Sequence, residues 1–153
     1  MSLILFLQGN PGAFILLAGL VGLIVGSFLN VVIHRLPIVL QRQWRQEYAE
    51  LAGTPVEHAG AGGTYNLVWP GSCCPHCGHP ISDLEHIPLV SFLWLKGKCA
   101  ACAAPISWRY PLVELLSAAL TAVVAWHFGL TLAALAVIFL TWALIALTFI
   151  DID

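Results

Sequence analysis

The 153-residue chain is 59% hydrophobic and only 9% charged, with a formal net charge of −2 and a mean hydropathy of +0.88. Soluble domains carry roughly 25% charged residues, so this composition excludes an ordinary soluble domain and indicates a membrane protein. The weakly acidic balance offers no basic surface for nucleic acid, and we expect no nucleic-acid partner.

Three apolar stretches are long enough to cross a bilayer as helices. The first occupies about 13–33 within a first segment 1–34, the second 110–128, and the third 130–150. At about 1.5 Å per residue, a helix of about 20 residues crosses a hydrocarbon core of about 30 Å. The predicted fold class is therefore an all-α polytopic membrane protein with three transmembrane helices, the last two within 110–153.

Small residues recur at every fourth position of the first stretch. Ala18, Gly22, Gly26 and Asn30 form one ridge, on which a second helix can approach closely. We expect the helices that pack on this ridge to lie outside the 153 residues.

Residues 35–109 form a polar segment between the first two spans. It contains a predicted short amphipathic helix at 41–51, a glycine-rich linker at 59–63 and a cysteine module at 72–107. All the lysines and arginines of the chain lie here, namely Arg35, Arg42, Arg45, Lys96, Lys98 and Arg109. The positive-inside rule predicts that the loop and the C-terminus are cytoplasmic and that the N-terminus is periplasmic.

The cysteine module contains two CxxC pairs. Cys74 and Cys77 are separated from Cys99 and Cys102 by residues 78–98. This doubled spacing is typical of a zinc ribbon, in which four thiolates hold a structural Zn²⁺. A reducing compartment disfavours the alternative of disulfides, and a redox-active CxxC normally lies in a βαβ setting. Cys73 is the odd thiol, while His76 and His79 are near enough to be substitute ligands.

The acidic residues near the membrane are candidates for catalysis. Asp151 and Asp153 end the third span, and Glu114 lies near the start of the second. The plain alternatives are that the aspartates mark the exit into the cytoplasm and that Glu114 complements a helix dipole in the first turn. If the helix continues, two positions differ by about 200° of rotation, so Asp151 and Asp153 are poor candidates for one aspartyl dyad.

Several separated motifs resemble the N-terminal part of type IV prepilin peptidases. They occur in the family's order along nearly the whole chain: GSFLNVV at 26–32, HRLP at 34–37, Asn66-Leu67 with Pro70, IPLVS at 87–91 and RYPLVE at 109–114.

The resemblance implies an inner-membrane aspartyl protease. Such enzymes cleave the leader peptide of type IV prepilins, or of type II secretion pseudopilins, at the cytoplasmic face. Many also methylate the new N-terminus with S-adenosylmethionine. The family's first catalytic aspartate lies in an I-D-x-D stretch that matches Asp151, with Asp153 beside it, and residues 110–153 then begin the peptidase domain.

The second catalytic aspartate of the family lies in a G-x-G-D motif that these 153 residues do not contain. We therefore expect the chain to be an N-terminal fragment that is inactive by itself. Two alternatives stay open from the residues alone. One is a non-catalytic membrane scaffold whose zinc ribbon binds a partner protein, and the other is a membrane thiol oxidoreductase.

Overall fold

The structure is a computed structural model that describes residues 3–53, 66–69, 71–82 and 87–152. The predicted linker at 59–63, Pro70 and Asp153 lie outside these residues. In chain order the described helices are α1 Leu3–Gly9, α2 Pro11–Leu51, α3 Val90–Trp94, α4 Arg109–Phe128 and α5 Leu132–Ile152. Helices α2, α4 and α5 are long and apolar enough to cross a membrane, which confirms the predicted fold class.

Helix α2 continues well beyond the predicted end of the first span at residue 34. It has 41 residues with Pro37 inside it, and the helix predicted separately at 41–51 is its final part. Glutamine, arginine, glutamate and leucine dominate the residues after Pro37, and these are strong helix formers. Where along α2 the bilayer ends, and with it the boundary of the cytoplasmic loop, stays a prediction.

Helices α4 and α5 are joined by a tight turn whose residues define both helix ends. Gly129 has φ +60°, a conformation that stops α4 where the sequence predicted. The Thr131 hydroxyl accepts a hydrogen bond of 3.1 Å from the backbone N–H of Ala134. This cap explains why α5 begins at Leu132, two residues later than predicted.

The small-residue ridge of α2 packs directly against α4. A Cβ placed on Gly26 would lie 2.7 Å from the Cα of Glu114, and one placed on Gly22 would lie 2.7 Å from Oγ1 of Thr121. Ala18 and Asn30 of the ridge are buried as well. The expectation that this ridge waits for helices outside the chain is therefore wrong, because α4 covers it.

Side-chain hydrogen bonds reinforce this packing across all three long helices. The Ser117 hydroxyl donates to the carbonyl of Gly22 at 2.7 Å, and Thr121 donates to the carbonyl of Ser117 at 2.7 Å. The Trp142 indole of α5 donates to the Thr121 hydroxyl at 3.0 Å. Such bonds add to close packing where lipid offers no hydrophobic force between helices.

The buried apolar cluster lies towards one end of the bundle. At this end α4 begins, α5 ends and α2 extends beyond the other two helices. The cluster consists of Leu29, Ile33, Val113, Ile145 and Ala146. At the same end, the Asn30 side chain donates a hydrogen bond of 3.1 Å to the carbonyl of Tyr110. The three helices are thus joined firmly where the polar loop meets them.

Candidate functional site

The four cysteines of the two CxxC pairs come together in space. The sulfurs of Cys74, Cys77, Cys99 and Cys102 all lie within 4.8 Å of one another. Contacts of 3.8 Å between Cys74 and Cys102 and of 4.0 Å between Cys77 and Cys99 cross from one pair to the other. A tetrahedron with Zn–S distances of about 2.3 Å has sulfurs about 3.8 Å apart. The donor set and its spacing therefore fit a four-thiolate zinc site.

The two CxxC segments share one pattern of backbone hydrogen bonds. We call them the first and second knuckles (residues 72–81 and 97–106). In each, the first cysteine's N–H donates to the carbonyl five residues later and its carbonyl accepts from the N–H four residues later. The equivalent bridges pair Cys73 with Pro80 and Lys98 with Pro105. The repeat is visible in the residues as well, since both knuckles read C-x-x-C-x-x-P-I, at 74–81 and at 99–106.

In each knuckle the residue directly after the second cysteine of the CxxC pair has positive φ. Gly78 has φ +71° in the first knuckle, and the equivalent Ala103 has φ +57° in the second. Glycine adopts this conformation without steric cost, whereas alanine does so only with strain. The second knuckle is therefore strained at Ala103, whereas the first knuckle is unstrained at the equivalent Gly78.

Backbone N–H groups of the knuckles stabilise the thiolate form of the cysteines, whereas crowding of the sulfurs disfavours several negative charges together. The N–H groups of Cys77 and His76 lower the pKa of Cys74 to about 7, and those of Cys102 and Ala101 lower the pKa of Cys99. The N–H of His79 acts likewise on Cys77, but burial and the neighbouring sulfurs outweigh it and raise the Cys77 pKa to about 12. A bound dication would offset this repulsion between thiolates.

The remaining thiol and the nearby histidines do not join the cluster. Cys73 and His76 are exposed and His79 is partly exposed, and none belongs to the group of sulfurs that could hold a metal ion. Four cysteines complete a tetrahedral site with no open position, which is the arrangement of a structural zinc. The histidines are therefore not needed as substitute ligands.

Glu114 connects the loop to the membrane helices. It lies in the second turn of α4, is only 8% exposed, and its carboxylate accepts a hydrogen bond of 2.8 Å from the N–H of Leu89. The expected helix-dipole role in the first turn is therefore wrong. A carboxylate beside the bilayer is costly unless it is hydrogen-bonded, and Leu89 provides such a bond.

Asp151 lies at the exposed end of α5, one residue before the helix ends at Ile152. Arg109, at the start of α4, holds this end: its guanidinium donates to the carbonyl of Phe149 at 2.7 Å and lies 5.4 Å from the centroid of the Phe149 ring. A cation at a helix C-terminus is favourable. Sequence reasoning missed this role, because the only available signal was one basic residue at the membrane boundary.

Comparison with known proteins agrees with these features. The model of the bacterial peptidase A24 N-terminal domain matches residues 20–128. The chain is 55% identical over 148 residues to a prepilin leader peptidase/N-methyltransferase of Stutzerimonas stutzeri, covering 97% of this chain and 50% of the relative. Proteins of the same name from Pseudomonas aeruginosa and Aeromonas hydrophila are 54% and 53% identical, each over 100% of this chain and 52% and 53% of their own lengths.

The chain thus spans about half the length of the curated relatives it matches. No solved structure matches it. The resemblance drawn from the sequence motifs is confirmed, and the chain belongs to the bacterial peptidase A24 N-terminal domain family.

Proposed function

We propose that this chain forms part of a membrane aspartyl protease that removes the leader peptide from type IV prepilins or type II secretion pseudopilins. The observation that carries the proposal is identity of 53–55% along the chain to relatives named prepilin leader peptidase/N-methyltransferase. The protein would lie in the bacterial inner membrane, with a periplasmic N-terminus. The loop at 35–109 would be cytoplasmic, and residues 110–153 would begin the peptidase domain.

Asp151 is the proposed catalytic residue in these 153 residues. In aspartyl proteolysis, one carboxylate takes a proton from water as the water oxygen bonds to the peptide carbonyl carbon. A second carboxyl group donates a proton to the amide nitrogen as the C–N bond breaks. The exposed position of Asp151 at the end of α5 suits the first role, because both water and a leader peptide can reach it. Asp153 would be its neighbour in the motif.

The second carboxyl group would come from the G-x-G-D motif that the family resemblance implies. That motif is absent from these residues. Glu114 is a poor substitute, since its carboxylate is buried and accepts the Leu89 N–H. We therefore infer that the chain by itself does not cleave prepilin.

The zinc-ribbon module would support the same reaction without taking part in it. Cys74, Cys77, Cys99 and Cys102 would hold Zn²⁺, which supplies structural order to the loop when bound. The relatives' name also supports N-methylation of the new N-terminus, with S-adenosylmethionine as the methyl donor. The module would then order the face on which substrate is cleaved and methylated.

The deciding experiment is prepilin cleavage in membranes by the longer parent protein carrying Asp151→Asn. We expect cleavage to be abolished, because an amide cannot take the proton from water. Asp153→Asn is the matched control and should keep activity. Equal cleavage by both variants and the unaltered protein would remove Asp151 from the mechanism and favour a membrane scaffold with a zinc ribbon.

A further inference from the structure

The short helix α3 carries apolar side chains on its outward face. Val90, Leu93 and Trp94 have the i, i+3, i+4 spacing that places side chains on one side of a helix. They are 53%, 72% and 79% exposed. The inward residue Phe92 packs edge-on against Trp108, with the ring centroids 4.8 Å apart. An exposed apolar face on a helix that is otherwise anchored marks an interaction surface.

The depth of α3 follows from its connection to α4. Helix α4 has 20 residues and is about 30 Å long, so all of it is needed to cross a hydrocarbon core of about 30 Å. Glu114 is five residues from its start, and the N–H of Leu89 lies 2.8 Å from the Glu114 carboxylate. Leu89 directly precedes α3. Five residues rise about 7.5 Å, so helix α3 begins within about 8 Å of the membrane boundary.

The residues around α3 match the chemistry of a lipid interface. Trp108 is exposed at the start of α4, where aromatic residues mark the membrane boundary. Lys96 and Lys98 follow α3 directly, and both are exposed. Basic side chains beside an apolar face are the pattern of helices that lie on membranes containing anionic lipid.

We propose that α3 is an interfacial anchor: Val90, Leu93 and Trp94 lie in the headgroup region of the leaflet on the loop side. Lys96 and Lys98 contact the phosphates of anionic lipids. The zinc-ribbon module is then held at the membrane surface by lipid as well as by Glu114 and Trp108. The proposal rests on membrane insertion and is independent of peptidase activity.

Trp94 provides the test. The protein is labelled with 5-fluorotryptophan, placed in nanodiscs of phosphatidylethanolamine and phosphatidylglycerol, and observed by ¹⁹F NMR. Trp94→Phe identifies the Trp94 resonance. We expect a lipid with a nitroxide near its headgroup to broaden this resonance more than that of Trp44, and a gadolinium chelate in the water to broaden it less. Trp44, exposed on the polar part of α2, is the matched control and should respond in the opposite way.

Two results would overturn the proposal. If Trp94 responds to the aqueous chelate as Trp44 does, the α3 face lies in water. If neither probe broadens Trp94, the face is covered by protein and not by lipid. A second measurement concerns the lysines: replacing phosphatidylglycerol with phosphatidylcholine should weaken the nitroxide effect, and an unchanged effect would remove Lys96 and Lys98 from the anchor.

Discussion

The helix interface and the zinc module both depend on glycine, but for opposite reasons. At Gly26 of α2, φ is ordinary for a helix and space is missing, because a Cβ would lie 2.7 Å from the Glu114 Cα. At Gly78 of the first knuckle, no atom lies within 4 Å of the position that a Cβ would take, but φ is +71°. Gly26 is required by its neighbours, whereas Gly78 is favoured by its own backbone conformation.

This difference shows how each region is stabilised. The membrane helices are held by close contact over a long ridge, so one added methyl group disturbs many contacts at once. The module has little buried apolar area, and its order comes from backbone hydrogen bonds in the knuckles and from four thiols in one cluster. Disruption of one region should therefore leave the other largely intact.

The largest expected effect is the loss of a zinc ligand. Cys74→Ser should abolish stoichiometric zinc binding, since structural zinc contributes about 10–16 kcal/mol of apparent binding energy in small zinc modules. Zinc per chain by mass spectrometry and protease sensitivity of the loop are the measurements. Cys73→Ser is the matched control, because its exposed thiol lies outside the cluster.

Chelation should have the same effect as Cys74→Ser on the loop. If the knuckles keep their protease resistance without metal, the zinc-ribbon assignment is wrong. In either treatment the unfolding of the membrane helices should change little, because α2, α4 and α5 hold together without contacts from the cysteines.

A smaller effect is expected at the helix interface. Gly26→Ala should lower the free energy of unfolding by about 1–3 kcal/mol, because the neighbouring atom is backbone and the helices must separate to admit the methyl group. Unfolding in a denaturing-detergent titration measures this. Gly12→Ala, near the start of the same helix with no atom within 4 Å, should be neutral or slightly stabilising.

Zinc content should be unchanged in both glycine variants. Equal stability of Gly26→Ala and Gly12→Ala would contradict the close packing of α2 on α4.

Features encoded locally could be predicted from the sequence, and pairings between distant residues could not. The zinc ligands follow from the CxxC spacing, because four residues of a knuckle suffice to aim both sulfurs. The small-residue ridge of α2 follows from its period of four. Its partner does not, although Ser117 and Thr121 of α4 recur at the same period and were an overlooked signal.

The contacts between distant segments of the chain depend on the tertiary fold. Glu114 meets Leu89, and Arg109 meets the carbonyl of Phe149. In each case the partner is a backbone group, which leaves no signature in the residue types. Pro37 does not end α2, which continues to Leu51, although a proline usually ends or kinks a helix.

The smallest expected effect compares the two knuckles at one backbone position. Gly78→Ala should weaken zinc binding and Ala103→Gly should strengthen it, because alanine is strained at positive φ and glycine is not. Each change should be worth about 1 kcal/mol, roughly a factor of five in zinc affinity. Competition with a chromophoric chelator measures both.

Since no atom lies within 4 Å of a Cβ on Gly78, steric contact cannot account for the loss of zinc affinity in Gly78→Ala. Opposite signs for the two substitutions would establish that the knuckles share one conformation, whereas losses in both would mean that Ala103 makes a contact that outweighs its strain.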